Sequence, residues 1–264
     1  MEFTELDTRQ LLVAKRLLEN PGLTARITNL VGLPIEKGFE LLPDRWSQNV
    51  GEVTQAALMK AAEAAIFTMK DVPGEESSNF WHKLGAAASG GVGGYFGLAG
   101  IAVELPISTS IMLRSIADVA RSEGESISSI HTKLACLEVF ALGGKSDSDD
   151  SVESGYYSVR YVLASSVTDA SEFIIEEGFN KAAPAFIKFI TKVADHFGVQ
   201  VTQKAAAQAI PAIGAVGGAV INTLFIDHFQ DMARGHFIVR KLERNYGEKR
   251  VKDLYESLPI RVSV

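Results

Sequence analysis

Apolar residues recur along most of this chain at the three- and four-residue spacing of an amphipathic helix, and helix-stop signals divide them. From Glu5 to Glu19 the pattern holds Leu6, Leu11, Leu12, Leu17 and Leu18, and Asn20-Pro21-Gly22 closes it. A second helix is predicted from Leu23, interrupted near Pro34. Pro43-Asp44 opens a long one to about Lys70, whose run from Gln55 to Ala65 is made of strong helix formers. After a loop marked by Pro73-Gly74, helices are predicted from Ile107 to about Arg121, restarted by Glu104-Leu105-Pro106, and from Ser128 to Leu142. Four more cover Tyr156 to Glu176, Asn180 to His196, Asp227 to about Tyr246, and Glu248 to Leu258. Strand-favouring residues from Tyr156 to Val162 leave the first of these open. The expected class is all-α, a single multi-helix domain spanning 1–264, with N-terminal helices in 1–42, a main region in 43–258 and a flexible loop at 143–154.

Two stretches break the amphipathic pattern. Leu84 to Val103 and Ala205 to Ile226 carry no charge and are rich in glycine and alanine. Gly90 and Gly94, Gly93 and Gly97, and Gly214 and Gly218 are each four residues apart. A glycine in a helix interior costs about 1 kcal/mol relative to alanine, so close approach of a neighbouring backbone is the expected compensation. Gly90, Gly94, Gly97, Gly214, Gly218 and the isolated Asn222 are therefore candidate packing or interaction residues. The two stretches also align without gaps, Gly91 on Gly214, Gly94 on Gly217 and Glu104 on Asp227, which hints at a unit of apolar helix followed by charged helix used twice. Both are long enough to span a bilayer, but Gly, Ala and Ser add little apolar area, and Gln208, Pro211 and Asn222 weaken the second. The composition favours a buried helix pair over insertion, with peripheral membrane contact as the third reading.

Charge and cysteine usage narrow the partners. The net charge of −6 gives no global attraction to nucleic acid. The basic residues near the C-terminus, Arg234, Arg240, Lys241, Arg244, Lys249, Arg250 and Lys252, are interleaved with Glu243, Glu248, Asp253 and Glu256 and read as a salt-bridged helix face. One cysteine, Cys136, forms no internal disulfide and suits a reducing compartment. The acidic start, Met1 to Glu5, lacks a basic and apolar leader pattern, so a cytoplasmic location is expected, at the inner face of the membrane if peripheral. The sequence implies no cofactor, and it does not set the oligomeric state.

Candidate chemistry is sparse. On a helix, His228 and His236 lie about 80° apart, with Asp231 to the other side of His228, so one face offers imidazoles and carboxylate for a metal-dependent hydrolase. The histidines are, however, about 12 Å apart along the axis, too far for one ion without another element. Hydrogen-bonded histidines on a polar face are the plainer account. Glu138, alone in the apolar Leu134 to Leu142, must find a partner or keep its proton, and Arg114, Arg160 and Arg240 are candidates. Glu104, Arg114, Glu138 and Arg240 are thus expected as buried polar groups. Among catalytic roles, Glu138, His228, Asp231 and His236 are the candidates. No GxSxG, Walker A or HExxH pattern occurs.

The blocks Leu134-Ala135-Cys136-Leu137-Glu138-Val139-Phe140-Ala141-Leu142-Gly143-Gly144 and Ile210 to Ala219, followed by Asn222, Asp227-His228-Phe229 and Arg240 to Arg244, resemble the bacterial EcsC family over roughly residues 45–255. The family takes its name from a protein encoded beside an ABC transporter, so the resemblance implies an accessory role linked to transport. It transfers no catalytic residue. The function expected is a non-catalytic protein that binds a membrane surface or a membrane protein through its Gly/Ala-rich segments. The alternative is a metal-dependent, peptidase-like hydrolase using His228, Asp231 and His236.

Overall fold

The computed structural model describes residues 2–19, 22–31, 35–66, 98–144, 155–210 and 214–259. These form ten α-helices and, among the described residues, no strand: α1 (Glu5–Leu18), α2 (Leu23–Val31), α3 (Glu36–Phe39), α4 (Trp46–Ala61), α5 (Leu98–Ser122), α6 (Ile130–Glu138), α7 (Gly155–Glu177), α8 (Pro184–Ala209), α9 (Gly214–Tyr246) and α10 (Glu248–Ser257). A π turn, Ala62–Ile66, extends α4, and a 3-10 turn, Val139–Ala141, extends α6. The all-α, single-domain expectation holds.

Local chemistry sets several boundaries. The Thr4 side chain accepts the Asp7 N–H at 3.1 Å and caps α1, which carries Glu5 and Asp7 in its first turn and Lys15 and Arg16 in its last. Pro184 stands at the start of α8, where its missing N–H costs nothing. Gly247, at φ 87°, turns the chain between α9 and α10. The strand-favouring residues from Tyr156 onward are helical, because Tyr156, Tyr157, Val159, Leu163 and Ser166 supply a buried helical stripe.

The long α9 is the axis of the structure. About 50 Å of helix at 1.5 Å per residue, it packs against α1, α2, α5, α8, α10 and the 3-10 turn. The second hub, α8, packs against α3, α4 and α7. Between them four phenyl rings meet: Phe140 of the 3-10 turn lies 4.9 Å from Phe197 and 5.1 Å from Phe229, and Phe225 lies 5.1 Å from Phe229. Such tilted and edge-on contacts add to the apolar area these rings bury. Residues Leu134 to Leu142 are buried all round, including the free Cys136, as suits a segment enclosed by the other helices.

Two expectations change. Pro106 does not start a helix; α5 runs through it from Leu98, and burial of Ile101, Leu105, Met112, Leu113 and Ile116 offsets the local cost of about 3 kcal/mol. The second uncharged stretch is not one helix. Its first five residues end α8, the chain leaves helical geometry at Ile210, and Gly214 to Ile226 are continuous with the charged stretch in a single α9. Of the first stretch, Leu98 to Val103 begin α5, while Gly90, Gly94, Gly97 and the rest of it lie outside the described residues, as does 145–154 of the expected loop. Gly214 opens α9 and Gly218 is buried on it.

Close helix approach does occur, at other glycines. A Cβ on Gly38 would stand 2.1 Å from the Ala206 carbonyl oxygen, and one on Gly235 would stand 2.7 Å from Leu18 Cγ and 3.1 Å from the Ala14 carbonyl oxygen. These glycines let α3 meet α8 and α1 meet α9. Gly38→Ala and Gly235→Ala are each expected to lower stability by about 1–3 kcal/mol in urea titration. Gly51→Ala, which meets open space inside α4, is expected to raise it by about 0.5–1 kcal/mol.

Candidate functional site

The polar groups of the interior form three clusters, each joining helices remote in sequence. The largest lies where α7, α9 and α6 meet. Arg160, one turn after Tyr156 on α7, grips Glu243 of α9 with both arms, Nη1 to Oε1 at 2.6 Å and Nη2 to Oε2 at 3.1 Å. Its guanidinium lies over the Tyr156 and Tyr157 rings at 5.5 and 5.6 Å. The Tyr156 hydroxyl is 3.0 Å from Nδ1 of His236, and Tyr157 donates to Glu243 at 3.4 Å. Below them, Arg240 donates to Glu125 at 3.0 Å; Thr132 and Arg244 share the same carboxylate. Glu138, from α6, is buried beside the field of Arg160 and Arg240.

The electrostatics of this cluster suit cohesion better than proton transfer near neutrality. Burial raises Glu138 above the usual carboxylate range, against the pull of Arg160 and Arg240. Burial, helped by Arg160 and Arg240, holds His236 well below an ordinary imidazole. Burial also raises the Tyr156 phenol. A general acid–base pair works best with a value near the operating pH and within reach of a substrate, and His236 is fully buried.

The second cluster crosses α8 and α5. Lys204 Nζ donates to both oxygens of Glu104, at 2.9 and 2.8 Å, and stands 4.9 Å from the Phe225 ring centroid on α9. Both side chains are buried, at 0% and 3% exposure. The third holds the turn after the 3-10 segment. Gly143, at φ 77°, lies against His228: a Cβ there would be 2.6 Å from the ring and 2.8 Å from Met232 Sδ. Beside it Gln200 donates to the Leu142 carbonyl at 2.8 Å. Burial, with Arg26 adding repulsion, lowers His228 to about 3. A further buried cation, Lys15, donates to the carbonyls of Tyr255 and Leu258, both at 2.7 Å, and ties α1 to the end of α10.

The sequence-derived candidates therefore separate. Glu138, His236 and Arg240 share the first cluster, Glu104 stands in the second and His228 in the third. Asp231 turns away to Arg26 of α2, at 2.7 Å. The proposed metal set of His228, Asp231 and His236 thus takes three different partners, and among the described residues no group of three or more His, Cys, Asp or Glu could hold a metal ion. Arg114 departs from expectation: it is exposed, and its guanidinium donates to the Ala64 carbonyl at 3.3 Å. Asn222 is buried one turn before Phe225. Lys204 and Tyr156 were not singled out from sequence. The readable sign was that Glu104 directly follows the first uncharged stretch and Lys204 directly precedes the second.

On the surface, Arg114 crosses a groove of about 890 Å³ between the end of α4 and the first half of α5. Lys60, Glu63 and Ala64 line one side, and Val103, Pro106, Ile107, Ser110, Ile111 and Arg114 the other. Val103 is 71% exposed and Ile107 52%. Among the described residues no helix is long and apolar enough to cross a membrane.

Fold and clusters together define a class: an all-helical protein whose buried ionisable groups cross-link its helices. The chain belongs to the EcsC protein family, whose sequence model matches residues 7–242. The match takes in α1 to α3, beyond the roughly 45–255 over which the resemblance is readable by motif. No curated protein and no solved structure matches the chain. The two blocks that carry the family resemblance touch in the fold, since Gly143 of the first lies against His228 of the second.

Lys204→Met alone is expected to cost about 3–5 kcal/mol, because it strands a buried carboxylate, whereas adding Glu104→Leu recovers most of that loss in urea titration. Acid sensitivity follows from His228. With its folded value lowered to about 3, the unfolded chain takes up a proton below about pH 6.5 that the folded chain refuses, so this contribution is full above pH 6.5 and is lost as pH falls towards 3. Between about pH 7 and pH 5 the site removes about 2 kcal/mol of stability. His228→Asn is expected to reduce the pH 7-to-5 loss by that amount, whatever its effect on stability at pH 7.

Proposed function

We propose that this protein is a non-catalytic accessory protein that associates peripherally with membranes, and that its working part is the α4–α5 face. The observation that carries this reading is the pair Val103 and Ile107, one turn apart on α5, which project apolar surface at a groove edged by charged side chains. Ion pairs such as Lys204–Glu104 and Arg160–Glu243 stabilise the scaffold, whereas these two branched side chains are exposed to water. Adjacent exposed apolar groups rimmed by polar ones mark interaction sites. Val103, the last residue of the first uncharged stretch, stands in this wall, which accords with a binding role at the end of that stretch. Membership of the EcsC family is compatible with such a role, and the link to transport rests on the resemblance alone.

Sedimentation with a native bacterial membrane fraction tests the reading. The wild-type protein is expected to pellet with the membranes, and the double variant Val103→Asp/Ile107→Asp to stay in the supernatant with a thermal midpoint within about 3 °C of wild type, as expected for exposed positions. Equal pelleting of both, or none of either, would remove the α4–α5 face from its role.

A further inference from the structure

The charges around the groove are unbalanced. Among its described lining residues Glu63 is the one carboxylate, and it is already engaged by Lys181 of the α7–α8 turn at 2.7 Å. Lys60 and Arg114 supply the cations, one on each wall, and both are exposed. Arg114 spends one N–H on the Ala64 carbonyl and has others left to donate. Val103 and Ile107 are exposed on the α5 wall of the groove, and Pro106 lies between them in sequence. Exposed branched side chains flanked by long cationic ones suit an interface that is apolar within and negative at its edge. Lysine and arginine stems lie along apolar surface while their heads reach polar groups.

We infer that the occupant of this face is an anionic bilayer surface: Val103 and Ile107 enter the acyl boundary while Lys60 and Arg114 meet lipid phosphates. This rests on the reading that the α4–α5 face is the working surface, and it names the chemistry that face recognises. A basic side chain near an anionic leaflet strengthens association about fivefold, equivalent to about 1 kcal/mol. Screening by salt is intrinsic to such contacts, since the Debye length falls from about 10 Å at 0.1 M to about 3 Å at 1 M.

Flotation with protein-free vesicles provides the test, with phosphatidylglycerol mixed into phosphatidylcholine in one arm and phosphatidylcholine alone in the other. The wild-type protein is expected to float with the anionic vesicles, to ignore the neutral ones, and to be released by about 1 M salt. Lys60→Gln and Arg114→Gln are each expected to weaken partitioning about fivefold. Val103→Asp/Ile107→Asp is expected to abolish it, while Val103→Leu/Ile107→Leu keeps it and shows that the loss is not one of fold. If wild type ignores anionic vesicles yet still pellets with native membranes through Val103 and Ile107, the partner is a membrane protein: the inference falls and the proposed role stands. Flotation that is unchanged in the Asp double variant places lipid binding elsewhere and overturns the inference. Loss of association with both native membranes and vesicles overturns the inference and the role together.

Discussion

An ammonium and a carboxylate that leave water each lose solvation worth several kcal/mol, and only close mutual contact returns it. Lys204 and Glu104 meet that condition because α8 and α5 are held in a register that keeps Nζ within 2.9 Å of both oxygens. A slip of either helix by one residue would strand both charges. The same constraint recurs with Arg160 and Glu243 between α7 and α9, and with Lys15 and the last carbonyls of α10. Apolar burial supplies most of the drive to fold, but a contact between greasy faces tolerates sliding. The buried ionic contacts favour one helix arrangement over its near neighbours.

That division of labour explains what could be read from the chain and what could not. Helix positions follow from local periodicity and caps, so α1 and α10 end within a residue of their expected limits. Pro106 misleads because a local rule was overridden by burial along both sides of it. The break at Ile210 was hidden inside an uncharged run, although Pro211 follows directly and disfavours helical geometry in the residue before it. Ion-pair partners are harder still. Lys204 and Glu104 are a hundred residues apart, and nothing local to either names the other. His228 and His236 were placed on one broad face of α9, as the structure has them, but two turns of separation hand them to different neighbours.

The surface groove stands apart from this interior. Its walls, the end of α4 and the front of α5, are joined in sequence by residues 67–97, so the face lies at the two margins of the stretch that includes most of the first uncharged segment. Glu104 is buried on the same turn of α5 and pairs inward with Lys204, while Val103 and Ile107 are exposed; the other ionic clusters lie around α6, α7 and α9. Exposed side chains such as Val103 and Ile107 can be altered by substitution at little expense to stability, because they take no part in the helix-locking contacts.

The two histidines of α9 have a consequence for the chain between them. His228 packs on Gly143 and His236 bonds to Tyr156, so one rigid rod clasps the backbone just before and just after residues 145–154. Gly143 and Tyr156 are held by α9 itself, so their positions do not hang on the number of residues that join them, and the entropy of closing a chain segment changes by only about 0.6 kcal/mol per doubling of its length.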